Sequence, residues 1–77
     1  MFGDKIKKIE EKIKKLNALK ADYRKELDEH HRELERKEIS QEKYDKIKAK
    51  TEARMEKISK KISEKRAELE ELKKAKK

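Results

Sequence analysis

"RKEISQEKY", Arg36 to Tyr44, is the stretch whose reading decides the fold. On either side the chain reads as helix, with no proline and a single glycine, Gly3. Either the chain reverses here or it continues as one long helix. Ser40 is a strong N-cap residue, because its hydroxyl accepts from the free N–H groups of a first helical turn. With Ser40 as N-cap, Ile39 falls at N′ and Tyr44 at N4, the two positions that form a hydrophobic staple. The capping box is incomplete, since N3 is Lys43 rather than Glu or Gln. Glu42 suits a helix start through the macrodipole, and Arg36 and Lys37 suit a helix end. One helix is therefore expected to stop near Lys37 and another to start after Ser40. The glycine that commonly closes a helix in the left-handed conformation is missing.

Outward from this stretch, the hydrophobic period is that of paired helices. Ile6, Ile9, Ile13, Leu16, Lys20, Tyr23, Leu27, His30 and Leu34 recur at alternating steps of three and four, a heptad seam with soft positions at Lys20 and His30. Phe2 lies one step earlier on the same seam, and Asp4 is the expected N-cap of this first helix. The second seam is Tyr44, Ile47, Thr51, Met55, Ile58, Ile62, Lys65, Leu69 and Leu72. Two steps of four meet at Thr51, a stutter that locally unwinds a supercoil. In an antiparallel hairpin, facing positions have a constant sum, and here that sum is 78. It pairs Leu34 with Tyr44, Leu27 with Thr51, Tyr23 with Met55, Lys20 with Ile58, Leu16 with Ile62, Ile13 with Lys65, Ile9 with Leu69 and Ile6 with Leu72. His30 and Ile47 miss by one. A fold at Ile39 thus aligns apolar layers along the whole chain.

The expected fold class is all-α, an antiparallel two-helix coiled-coil hairpin forming one unit over residues 1–77: helix 4–37, turn 38–40 and helix 41–76, ending in a frayed Lys-rich tail. At roughly 1.5 Å per residue each arm spans about 50 Å. Acid-first i,i+4 pairs are dense: Asp4–Lys8, Glu10–Lys14, Glu11–Lys15, Asp28–Arg32, Glu33–Lys37, Glu42–Lys46, Glu56–Lys60 and Glu70–Lys74, each worth about 0.2–0.5 kcal/mol. A four-helix bundle would bury more than two helices do. Off the seam, however, the apolar residues are Leu19 and a few alanines, so a monomer or weak homodimer is expected.

Only 31% of the 77 residues are hydrophobic and 57% are charged, a balance near that of disordered chains, so periodicity rather than composition argues for order. The Lys and Glu excess is thermophile-like, with ion pairs offsetting a small core. The absence of cysteine removes disulfides, thiolate metal sites and cysteine nucleophiles. No apolar run approaches membrane-spanning length and no signal-peptide core is visible, so an intracellular, cytoplasmic protein is expected.

Catalysis has no visible carrier. Two helices enclose no cleft in which catalytic groups are tuned, and no glycine-rich phosphate loop exists. The hydroxyl side chains have structural readings: Ser40 as a cap, Thr51, Tyr23 and Tyr44 as seam residues, Ser59 and Ser63 as a polar flank. His30 and His31 point about 100° apart on a helix of roughly 3.6 residues per turn, so they do not chelate together. Glu26–His30 and His31–Glu35 have ligand-compatible spacing but fall short of the about four ligands that zinc takes. No enzyme activity, metal or cofactor is expected.

The charge is the most informative feature. Residues 1–20 carry +4, residues 58–77 carry +4 and residues 21–57 sum to zero, which accounts for the net +8. Folding at Ile39 lays the two basic segments side by side at the open end and leaves the turn end neutral. Such a surface suits phosphate. The expected phosphate-binding residues are Lys5, Lys7, Lys8, Lys12, Lys14 and Lys15 on one arm, with Lys60, Lys61, Lys65, Arg66, Lys73 and Lys74 on the other. Aromatic side chains for base stacking are lacking there apart from Phe2, so contact with DNA or RNA would be to the backbone, without base specificity. The alternative is a protein–protein adaptor or scaffold whose flanks dock a partner helix, the lysines serving solubility. A membrane surface is less favoured, because the apolar face of the first helix is already used against the second.

The segment "ISQEKYDKIKAK", Ile39 to Lys50, resembles the helix-start pattern of short helical-hairpin modules of the SHOCT type, with Glu38 where glycine usually precedes the isoleucine. That resemblance implies a helix start and brings no function with it. In shape the chain looks like the free antiparallel coiled-coil arms of some larger RNA-binding proteins, an analogy of fold alone.

Overall fold

The computed structural model describes residues 2–75, with side chains from residue 3 onward. The chain is an all-α antiparallel hairpin of α1 (Phe2–Glu35) and α2 (Gln41–Ala75), a rod of 57 × 15 × 12 Å. The seam is where the periodicity places it. Ile9, Tyr44, Thr51, Ile58 and Ile62 are buried. Ile6, Ile13, Leu16, Lys20, Tyr23, Leu27, His30 and Leu34 of α1 are half-buried, as are Ile47, Met55, Lys65, Leu69 and Leu72 of α2. Beyond the seam, only Glu33, Ile39 and Ser59 among the described residues are withdrawn to that degree. Residues that share a groove across the interface fall near the expected register at the open end. Ile9 shares one with Lys65 and Glu68, Leu16 one with Lys61, Glu64 and Lys65, and Lys20 one with Ser59, Ile62, Ser63 and Arg66. The Arg54 guanidinium sits over the Tyr23 ring, 5.9 Å from its centre, a cation–π contact between the two helices.

The turn shows how a helix ends here without glycine. Lys37 takes the left-handed conformation, with φ at 63°. Its N–H donates to the Leu34 carbonyl at 3.0 Å, and the Glu38 N–H reaches back to the Glu33 carbonyl at 2.8 Å. Those two bonds are the Schellman pair, which satisfies carbonyls that the helix end would otherwise leave free. A non-glycine residue in this conformation costs about 1–2 kcal/mol, and the start of the next helix helps to hold it in place. The Lys43 N–H donates to Ser40 Oγ at 3.1 Å, so Ser40 is the N-cap. The Tyr44 N–H closes the first helical bond onto the Ser40 carbonyl at 3.0 Å, and Gln41 Nε2 donates to Asp45 Oδ1 at 2.9 Å. Ile39 is half-buried and Tyr44 buried, as a staple requires. Tyr44 meets the His31 ring edge-on, with centroids 5.6 Å apart.

Several expectations need correction. α1 begins at Phe2, so Asp4 stands inside the first turn rather than capping it, where its charge still suits the macrodipole. α1 ends at Glu35 instead of residue 37, and the connection runs over 36–40. Of the expected i,i+4 ion pairs only Glu42–Lys46 closes, at 3.8 Å. Glu33–Lys37 fails because Lys37 has left the helix, and Glu33 Oε1 instead lies 2.7 Å from His30 Nδ1. The remaining pairs are exposed, where attraction through water barely offsets the entropy of fixing two long side chains. Lys73 and Lys74 belong to the last turn of α2; the Phe2 side chain, residue 76 as a helix end and the last two lysines lie outside the described residues.

Candidate phosphate-binding site

The open end is built by the first half of α1 lying against the second half of α2. Steps of three, four and three put Lys5, Lys8, Lys12 and Lys15 on one flank of α1. Lys61 and Lys65, four apart, stand on the facing flank of α2. Between them runs a trough of two joined parts. One, of about 510 Å³, is bordered by Lys5, Lys8, Lys12 and Lys65 and floored by Ile9. The next, of about 270 Å³, is bordered by Lys12, Lys15, Lys61 and Lys65 and floored by Leu16. Lys12 and Lys65 border both, so the two parts adjoin.

The electrostatics of this flank are one-sided. Lys5, Lys8, Lys12, Lys15 and Lys61 are exposed, and none takes part in an ion pair among the described residues. Lys65 is half-buried, its stem along the seam and its Nζ 3.5 Å from Glu68 Oε2. Asp4, Glu64 and Glu68 are the carboxylates of the trough, three against six lysines. Long lysine stems are suited to lying along an apolar floor while their ammonium groups stay in water.

The structure divides the expected phosphate-binding residues. Lys5, Lys8, Lys12, Lys15, Lys61 and Lys65 come together in the trough. Arg66 lies on the other flank of the hairpin, in a shallower groove of about 220 Å³ with Asn17, Lys20, Ser59 and Ser63. Lys60 stands on the outside of α2 beside Glu56 and Lys57. Lys7, Lys14, Lys73 and Lys74 are exposed and line neither groove. Sequence reasoning took Lys20 only as a soft seam position; its register partner Ile58 adjoins Ser59, which places it across from that serine and near Arg66. It also pooled all basic residues of the open end, although sorting them by helical angle would have separated the flanks. The carboxylates Asp4, Glu64 and Glu68 were likewise readable as trough residues from their spacing to Lys8, Lys61 and Lys65.

At the turn end, His30 pairs with Glu33, and His31 Nδ1 lies 3.1 Å from Glu35 Oε1. The Glu26–His30 pair anticipated from spacing does not form. Among the described residues no three His, Cys, Asp or Glu side chains converge as a metal site, and no helix is long and apolar enough to cross a membrane. Comparison of the chain with family models, curated proteins and solved structures gave no match.

Proposed function

We propose that the hairpin is a non-enzymatic binding protein whose basic open end contacts nucleic-acid phosphates, of DNA or RNA, without base specificity. The observation that carries this reading is the placement of charge: residues 1–20 and 58–77 account for the whole net +8 of the sequence, and the described parts of these two segments lie side by side at the open end. Unpaired ammonium groups on a convex rod are suited to displacing the counterions condensed on a phosphate backbone. Tyr44 is buried and Tyr23 is covered by Arg54, so neither ring stands free as a stacking platform. The test is a titration of labelled duplex DNA and labelled single-stranded RNA at several salt concentrations. Each phosphate contacted should steepen the fall of log K with log salt by about 0.7–0.9. No binding at low salt would return the charge to a role in solubility.

A protein–protein adaptor is the second reading, and Leu19 favours it. It is the exposed large hydrophobic residue of the described chain, at 42% exposure, and continues the spacing of Lys12 and Lys15 on α1. An apolar contact of that kind survives a high-salt wash, whereas a phosphate contact is screened away. A pull-down in high salt together with a light-scattering mass separates the two.

A further inference from the structure

The shape of the lysine trough goes beyond the charge of the end that carries it. Resting on the phosphate-binding reading, we infer that the trough takes a single linear chain of phosphates in preference to a duplex, and that bases add nothing to the affinity. Four lysines of α1 advance along the trough over about 15 Å, at roughly 1.5 Å per residue. Lys61 and Lys65 face them from α2, so a chain lying between the helices is met from both sides. A single flexible backbone can follow that straight track. The backbones of a duplex are helical ridges flanking a major groove about 12 Å wide; each ridge crosses a straight trough and leaves it. The floor is Ile9 and Leu16, with no aromatic ring among the described lining residues. Those residues offer a base nothing to stack on. The groove on the opposite flank is lined by two basic residues, Lys20 and Arg66, beside Asn17, Ser59 and Ser63, so it does not duplicate the site.

The ligand chemistry is therefore a single file of phosphates, supplied by single-stranded nucleic acid or by inorganic polyphosphate. The test uses the full chain and a fluorescent uridine oligoribonucleotide. Its competitors are inorganic polyphosphate with the same number of phosphates and a duplex of equal phosphate content. Two triple variants accompany it. K8Q/K12Q/K61Q removes three of the six trough lysines, and K7Q/K14Q/K60Q removes the same charge from outside it; circular dichroism verifies that both remain helical.

The trough variant is expected to lose the oligonucleotide by about tenfold or more and to lower the salt slope by about 2, and the control by no more than about threefold. Polyphosphate should displace the oligonucleotide to within about tenfold of its own affinity, with the duplex weaker than either. The tighter of the two single chains names the source. Equal losses in both triple variants, a duplex that competes best, or polyphosphate that fails to compete would each overturn the inference and leave the nucleic-acid reading standing. No binding by any of these polyanions at low salt would overturn both.

Discussion

The two ends of this rod are held by different physics. At the turn, directional contacts fix each residue: the Schellman bonds around Lys37, the Ser40 cap, the edge-on rings of His31 and Tyr44, and His30 against Glu33. At the open end the arms are joined by a stripe of isoleucines and leucines, and the surface is a field of lysines of which few find a carboxylate. The turn spends its polar groups on structure and carries no net charge. The open end leaves its polar groups unspent, which is the condition for meeting something outside the molecule. Changes at the turn should therefore be felt in stability, and changes at the outward lysines in binding.

The largest break in that contrast should come from Tyr44→Ala. It removes a buried ring that closes the staple and faces His31. Truncating a buried aromatic typically costs about 3–5 kcal/mol. A domain below about 70–80 residues rarely has more than about 3–5 kcal/mol in hand from its core. Far-UV circular dichroism at 25 °C is expected to show most of the helix lost, and retention of the wild-type melting temperature would refute the assignment. Ile62→Ala, at 6% exposure in the stripe of the open end, should cost about 2–3 kcal/mol. The open end is thus stabilised by its apolar seam even though its surface is not.

Ser40→Ala should cost about 1 kcal/mol, the usual value for losing an N-cap oxygen, read as a lower urea midpoint at unchanged slope. Lys37→Gly should act in the opposite direction. The left-handed backbone at 63° suits glycine, so removing the side chain relieves strain, partly offset by the freedom glycine has in the unfolded chain. A gain of about 0.5–1 kcal/mol is expected. A loss would mean that the Lys37 side chain contributes more than its backbone strain removes.

These cases also show what could be read from the residues. The seam was legible position by position, because on a two-helix rod burial is decided by helical angle alone. The Ser40 cap and its staple were legible because the chemistry of a helix start is local. The left-handed Lys37 was not, since nothing in a lysine marks it for that conformation, and only the neighbouring Schellman bonds hold it. The start of the first helix was placed two residues late for a related reason: an acid such as Asp4 is equally welcome at the cap and inside the first turn, and the spacing fits either. The surface ion pairs were read from sequence distance, which gives opportunity and not geometry. For the site, charge placement was legible and its division between two flanks was legible in principle. The trough was not, because its depth comes from where the second helix lies.

The smallest predicted effect is the most telling for the comparison. K8Q/K12Q/K61Q should change stability by no more than about 0.5 kcal/mol, as exposed substitutions away from structural features do. Its sign carries the information. Removing three charges from the basic end relieves repulsion between like charges, while shortening the side chains uncovers part of Ile9 and Leu16. If repulsion dominates, the melting temperature rises slightly at low salt, and the rise disappears as salt is added, because screening relieves the wild type in the same way. If the stems dominate, it falls slightly and salt leaves the difference unchanged. The first result is expected, since the lysines outnumber the trough carboxylates by six to three. Melting curves at two salt concentrations decide it, and they would show that the open end carries its charge at some expense to its own stability.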